Sequence, residues 1–168
     1  YLFLPQYVEV KHENYQPIGA FKLRGGVNFM AHLSDADRKR GVITASTGNH
    51  GQSIAYAARL FGVQAHIFAP EGANADKVAS MERLGAHVTL RGARYDDARL
   101  KAEEYAAERD LRYIHSSDEP ALVAGVATAA LEVLEAQQPS TDCVIVPVGG
   151  GSGACGWVTV RDGLAHPA

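Results

Sequence analysis

Cysteine is nearly absent from this chain: Cys143 and Cys155 are the only two in 168 residues. Two thiols exclude a disulfide framework and favour a reducing, cytoplasmic setting. Surplus positive charge is also missing. Sixteen Lys and Arg stand against nineteen Asp and Glu, a net charge of −3, so there is no basic face of the kind a nucleic-acid binder needs to neutralise phosphates. The longest apolar runs, such as Cys143–Val148, are far too short to cross a bilayer. No positively charged region precedes a long apolar stretch, so no secretory signal is expected. Neither nucleic acid nor membrane is expected as a partner. Seven histidines lie scattered, without H-E-x-x-H or paired cysteine spacing, and no zinc site is indicated. Repeats and low-complexity segments are absent. At 46% hydrophobic and 21% charged residues, the composition is that of a globular protein rather than a disordered one.

Glycine, by contrast, is plentiful, with seventeen residues, many of them in two clusters. Around them, two kinds of segment alternate. Short β-branched runs are Val42–Ala45, Val63–Phe68, His87–Leu90, Arg112–Ile114 and Cys143–Val148, and Tyr7–Lys11 is also strand-like. Between them lie helical patterns. His50–Phe61 carries Ile54, Ala57, Ala58 and Phe61 at helical spacing and stops at Gly62, and Lys77–Leu84 stops likewise at Gly85. Tyr95–Arg109 is a charged, alanine-rich amphipathic helix; Glu119–Gln137 is more apolar, with Pro139 just beyond it. Strand–helix–strand alternation at this spacing predicts an α/β fold, a mainly parallel sheet in three layers. The all-apolar Cys143–Val148 is expected to be a strand buried on both faces. The chain opens at Tyr1 and closes just after a glycine loop and a helix start, so we expect a piece of a longer protein.

Open α/β sheets bind ligands where strand ends lead into helix N-termini. Two loops have that context. Ser46-Thr47-Gly48-Asn49-His50-Gly51-Gln52 follows the first run and combines glycine with neutral hydrogen-bonding side chains; Ser, Thr and Asn are also ordinary helix caps, and both readings stand. Gly149-Gly150-Gly151-Ser152-Gly153 has four glycines in five positions, more than a plain turn needs. A row of unobstructed N–H groups at a helix start is a phosphate cradle. The stretch Gly151–Gly156 also fits the dinucleotide pattern G-x-G-x-x-G, and Gly150–Ala154 nearly fits the hydrolase elbow G-x-S-x-G, with Ala154 in place of the last glycine. Upstream, Lys11–Gly26 reads as a strand end, a proline turn at Pro17 and a helix start with Lys22 in its first turn. A lysine there is ordinarily solvated. Held among apolar neighbours, it would instead offer the neutral amine that Schiff-base chemistry requires.

Taken in order, the segment around Lys22, the loop Ser46–Gln52 and the loop Gly149–Ser152 resemble three motifs of the fold type II (tryptophan synthase beta-like) pyridoxal-phosphate enzymes. These are the cofactor-lysine segment, the S-x-G-N-H-G-Q loop and the glycine-rich phosphate loop, as found in the threonine dehydratase and serine racemase family. The resemblance implies that Lys22 holds the cofactor and later moves the Cα proton, with Phe21 lining the ring pocket. It implies that Asn49 bonds the ring hydroxyl and that Gly149, Gly150, Gly151 and Ser152 present N–H groups to the phosphate. Ser46, Thr47, Gly48 and His50 would help hold the substrate carboxylate. The implied activity is a pyridoxal 5'-phosphate-dependent threonine/serine ammonia-lyase giving a 2-oxo acid and ammonia.

The alternatives are a serine racemase, another β-eliminating enzyme, or a non-catalytic dinucleotide-binding module. Residues 42–120 would form the small substrate-side domain, and 1–41 and 121–168 parts of the large cofactor domain. A homodimer is implied for the full-length protein, and any cation would be held by residues beyond Ala168. Three positions depart from the family pattern: Ala20 where many members have Ser, Ser152 for a loop glycine, and Thr47. Racemases carry a second, hydroxyl-bearing base at the position of Thr47, which makes it a candidate catalytic residue. Cys155 reads either as a reactive thiol at a helix start or, more simply, as a small buried packing residue.

Overall fold

The computed structural model describes residues 8–136 and 141–168. Four parallel strands, β1 (Val42–Ala45), β2 (Ala65–Ala69), β3 (His87–Leu90) and β4 (Arg112–Tyr113), form one sheet in the order β3-β2-β1-β4. Each falls on one of the β-branched runs. The second starts two residues later than its run. Val63 is still held by the preceding helix, its N–H donating to Ala58 O at 2.8 Å.

The described residues also form seven α-helices: α1 (Lys22–Ala31), α2 (Asp35–Arg40), α3 (Asn49–Phe61), α4 (Ala75–Arg83), α5 (Tyr95–Arg109), α6 (Pro120–Ala136) and α7 (Ser152–Gly163). The alternation of β1 explains the layers. Val42 enters a core with Met30 of α1, Ile54 of α3 and Met81 of α4, whereas Ile43 and Ala45 meet Ala98, Ala102 and Ala106 of α5 on the other face. Helices cover both faces, so the three-layer α/β expectation holds. On α5 the buried alanines recur every fourth residue, while Arg99–Glu103 and Lys101–Glu104 pair on the solvent side. Helix α2 was not anticipated. It is two turns long and held by its ends: Ser34 Oγ accepts from Asp37 N at 3.1 Å, acidic residues fill the first turn and basic ones the last.

Helix α1 is clamped between two others. A side chain at Gly26 would strike Ser53 of α3, and one at Gly125 of α6 would lie 2.7 Å from Gly25 Cα. Bare backbone at these positions brings the three helices into close contact, and Ser53 Oγ donates to Lys22 O at 2.6 Å across the first crossing. The segment before α1 is tied down by charge: Arg24 bridges Glu13 (2.8 Å) and Glu132 (2.6 Å), and Lys11 bonds Glu132 (2.6 Å).

Two expected strands are corrected. Cys143–Val148 joins no ladder among the described residues, and its apolar side chains are not buried, Ile145 being 93% exposed. β-branched composition gives a preference for extended backbone. Burial on two faces also needs strands on both sides, and Pro147 lacks a ladder donor. Val8–Lys11 is likewise unpaired and exposed, and Tyr7 of that run lies outside the described residues. The apolar helix expected over Glu119–Gln137 is α6, largely buried along one face; Gln137 and its stop at Pro139 lie outside the described residues. Cys155 is also corrected, for it is exposed. Ser152 and Gly156, one helical turn apart, are the buried residues of α7, and Cys155 is not among them.

Candidate active site

Strand order decides where a site can form. In β3-β2-β1-β4 the chain reverses direction between β1 and β4, so the loops leaving β1 and β4 flank a topological switch point, the usual ligand crevice of an open parallel sheet. The loop after β1 is Ser46–Gly48, and that after β4 runs through His115–Asp118. Lys22, at the start of α1, reaches this second loop: its Nζ lies 3.1 Å from Ser116 O. The same nitrogen lies 2.5 Å from Ser152 Oγ, at the start of α7 and 130 residues further along the chain. Burial pushes the Lys22 amine below the ordinary lysine range. Among the described residues no carboxylate pairs with it.

The glycine loop closes around this lysine. Gly151 caps α7 at a φ of +92°, a left-handed conformation that favours glycine. A side chain at Gly150 would strike Ser117 Oγ, and one at Gly153 would come within 3.0 Å of the Phe21 ring. That ring also flanks the lysine, its centroid 5.9 Å from Nζ. Among the described residues nothing accepts a hydrogen bond from the backbone N–H groups of Gly149, Gly150, Gly151, Ser152 and Gly153. Phe21, Lys22, Gly150 and Ser152 are thus brought together with Ser116 and Ser117.

In the first loop the side chains are largely used up. Ser46 Oγ accepts from Gly48 N (3.1 Å) and Gly51 N (2.8 Å), capping α3. His50 is buried, its Nε2 2.9 Å from Thr44 Oγ1, which in turn donates to Ile114 O at 2.7 Å. Because the threonine proton goes to that carbonyl, His50 Nε2 is the donor. Burial first, then the neighbouring basic side chains of Lys22 and His115, push its pKa down to about 3. Thr47 and Asn49 are exposed, Asn49 Oδ1 accepting from Lys77 Nζ at 3.4 Å. Backbone N–H groups of Thr47, Asn49 and His50 have no acceptor among the described residues. The last residue of the motif, Gln52, accepts from Ser80 Oγ at 2.9 Å, and its buried Nε2 has no partner among the described residues.

Sequence reasoning missed the loop His115–Asp118. His115 Nδ1 accepts from Ser117 N (3.2 Å) and Asp118 N (2.8 Å), which curls the loop so that Ser116 O faces the lysine. It belongs to no motif, and only its place after the strand Arg112–Ile114 could have marked it. The packing role of Gly25 and Gly26 was also missed, although two adjacent glycines inside a helical pattern are themselves a signal of close helix approach.

Comparison with known proteins follows from this geometry. Residues 4–164 match the family described as pyridoxal-phosphate dependent enzyme. The chain is 42% identical over 144 residues to an L-threonine ammonia-lyase of Thermotoga maritima, covering 86% of this chain and 36% of that protein. Among solved structures it is similar to the processed form of threonine deaminase isoform 2 from Solanum lycopersicum, with 34% identity and a TM-score of 0.88 over 94% of this chain and 43% of that one. Maize serine racemase gives 33% identity and a TM-score of 0.86 over 92% and 46%. The chain therefore spans less than half the length of each of these relatives.

Proposed function

Since this chain belongs to the pyridoxal-phosphate-dependent enzymes, we propose that the full-length protein is a threonine/serine ammonia-lyase that converts a β-hydroxy amino acid to a 2-oxo acid and ammonia. The observation that carries this reading is the convergence of Lys22, Ser152 and the loop after β4 on one nitrogen. The residues fit the cofactor. The amine that would hold it is half-buried between neutral partners, and five N–H groups without an acceptor among the described residues lie along the adjoining glycine loop, the donor set a phosphate needs. Pyridoxal phosphate, when bound there, supplies the electron sink that lets an amino acid lose its Cα proton.

The chain's own groups divide the remaining work. Lys22 Nζ would hold the cofactor and, once displaced by the amine of the substrate, would take the Cα proton. Gly149, Gly150, Gly151 and Ser152 would donate backbone N–H groups to the phosphate, while Phe21 would flank the ring and Asn49 would bond its hydroxyl. The carboxylate of the substrate goes to the loop after β1. There the free N–H groups of Thr47, Asn49 and His50 at the start of α3 suit an anion. Ser46 serves as the cap that shapes this loop with Gly48, and the His50 imidazole holds the loop to Thr44 rather than touching substrate. We further propose that residues 42–120, which contain all four strands, act as the small substrate-side unit. Residues 1–41 and 121–168 would contribute to the large cofactor unit of a homodimer. No helix among the described residues is long and apolar enough to cross a membrane. Both cysteines are free, and a cytoplasmic setting completes the proposal.

Incubating the full-length protein and its Lys22→Ala variant with threonine or serine tests the reading. Formation of 2-oxo acid that requires both pyridoxal phosphate and Lys22 is the expected result; none from wild type overturns it. The likeness to a serine racemase and the exposed hydroxyl of Thr47 favour a second reading as a racemase. That reading requires D-serine to form from L-serine alongside any 2-oxo acid.

A further inference from the structure

Ser152 is the one residue of the run 149–153 that carries a side chain. The residue is 2% exposed, and its side-chain oxygen lies 2.5 Å from Lys22 Nζ. A glycine in its place would supply the same backbone N–H to an anion, so the hydroxyl is an addition to the backbone cradle.

Proton accounting shows what that is. The hydroxyl has one proton to donate, and among the described residues its only partner is Lys22 Nζ. If the lysine is an ammonium, it has no lone pair, and the buried Ser152 proton is left without an acceptor. If the lysine is a neutral amine, one N–H goes to Ser116 O and the lone pair receives the Ser152 proton. The buried Ser152 hydroxyl is then satisfied, and leaving it without an acceptor would be unfavourable. The surroundings agree: both neighbours of the nitrogen are uncharged, and it stands at the N-terminal, positive end of α7. Nearby basic groups are placed differently, since Lys11 and Arg24 each meet carboxylates.

We infer that Ser152 is the positioning residue of Lys22, its hydroxyl donating to Nζ and holding the amine's lone pair at the mouth of the glycine loop. This rests on the reading of Lys22 as the cofactor lysine and deepens it. Ser152 thereby has two separable functions: its backbone N–H serves the phosphate, and its side chain keeps the lysine ready to react.

The two functions are tested together in the full-length protein. Pyridoxal phosphate is added to the protein freed of cofactor, the product is fixed with borohydride, and the rate of labelling at Lys22 is followed against pH. Binding of pyridoxine 5'-phosphate, which carries the phosphate but no aldehyde, is measured in parallel. Ser152→Ala and Ser152→Gly are expected to move the labelling midpoint upward by about one pH unit. That is a roughly tenfold loss of labelling below the midpoint, with pyridoxine 5'-phosphate affinity unchanged. An unshifted midpoint in both variants overturns the inference and leaves the cofactor-lysine reading standing, as does a fall in analogue affinity that accounts for all the lost labelling. Absence of label at Lys22 in wild type overturns both.

Discussion

The two glycine-bearing loops of this chain lead into helices in opposite ways. After β1, side chains do the local work: Ser46 caps α3, the His50 imidazole is bonded to Thr44, and what faces outward is a short run of backbone N–H groups with Thr47 and Asn49. Ahead of α7, glycine leaves the backbone bare from Gly149 to Gly151, and the one side chain, Ser152, turns to Lys22. The first loop is therefore rigid by its own bonds. The second is shaped by its neighbours, Ser117 against Gly150 and the Phe21 ring against Gly153. A loop held from within tolerates loss of a neighbour, whereas a loop held from outside depends on the surfaces it touches.

The sharpest way to break that contrast is at Gly150. In Gly150→Ala the new methyl meets Ser117 Oγ. Overpacking of this kind costs about 1–3 kcal/mol. Retention of pyridoxal phosphate during dialysis should fall at least tenfold, and adding Ser117→Ala should recover much of it. Equal retention in Gly150→Ala and wild type would mean that the loop is not shaped from outside.

Acid should expose the internal bonding of the first loop. His50 has a folded pKa near 3, below its unfolded value of about 6.5. Folded protein therefore binds fewer protons than unfolded protein between those values. Stability is full above pH 6.5 and declines as pH falls toward 3. The urea midpoint should drop over that window, with a shallower drop in His50→Gln; identical slopes would count against a buried neutral imidazole. Ser46→Ala, which removes one acceptor from two N–H groups, should lower stability by about 1 kcal/mol in the same assay. The smallest effect belongs to Thr47→Ala. Exposed and without a side-chain hydrogen bond among the described residues, it should change stability by less than about 0.5 kcal/mol. A parallel loss of D-serine formation would assign its hydroxyl to racemisation.

Much of the sheet was legible in the sequence because local pattern and burial agree there. His87–Leu90 and Val42–Ala45 coincide with their strands, and Gly62 ends α3 in the left-handed conformation its position suggests. Cys143–Val148 shows the limit of that logic. Its composition is the most strand-like of all, yet among the described residues it has no neighbour to pair with. Pairing is a property of what lies alongside, which composition does not record. The site divides similarly. Lys22 and the two loops stood out because glycine and lysine are unusual in those places and together resemble a known family. His115, Ser116 and Ser117 did not, since strand order alone carries them to the lysine.

The central claim is that Lys22 and the glycine loop make one cofactor site. The most direct test is to treat the full-length protein with pyridoxal phosphate and borohydride, digest it, and locate the label by peptide mass. The account predicts one labelled peptide, the one containing Lys22, with labelling reduced in Gly150→Ala. Label on another lysine such as Lys77, or at Lys22 with no dependence on Gly150, would contradict it.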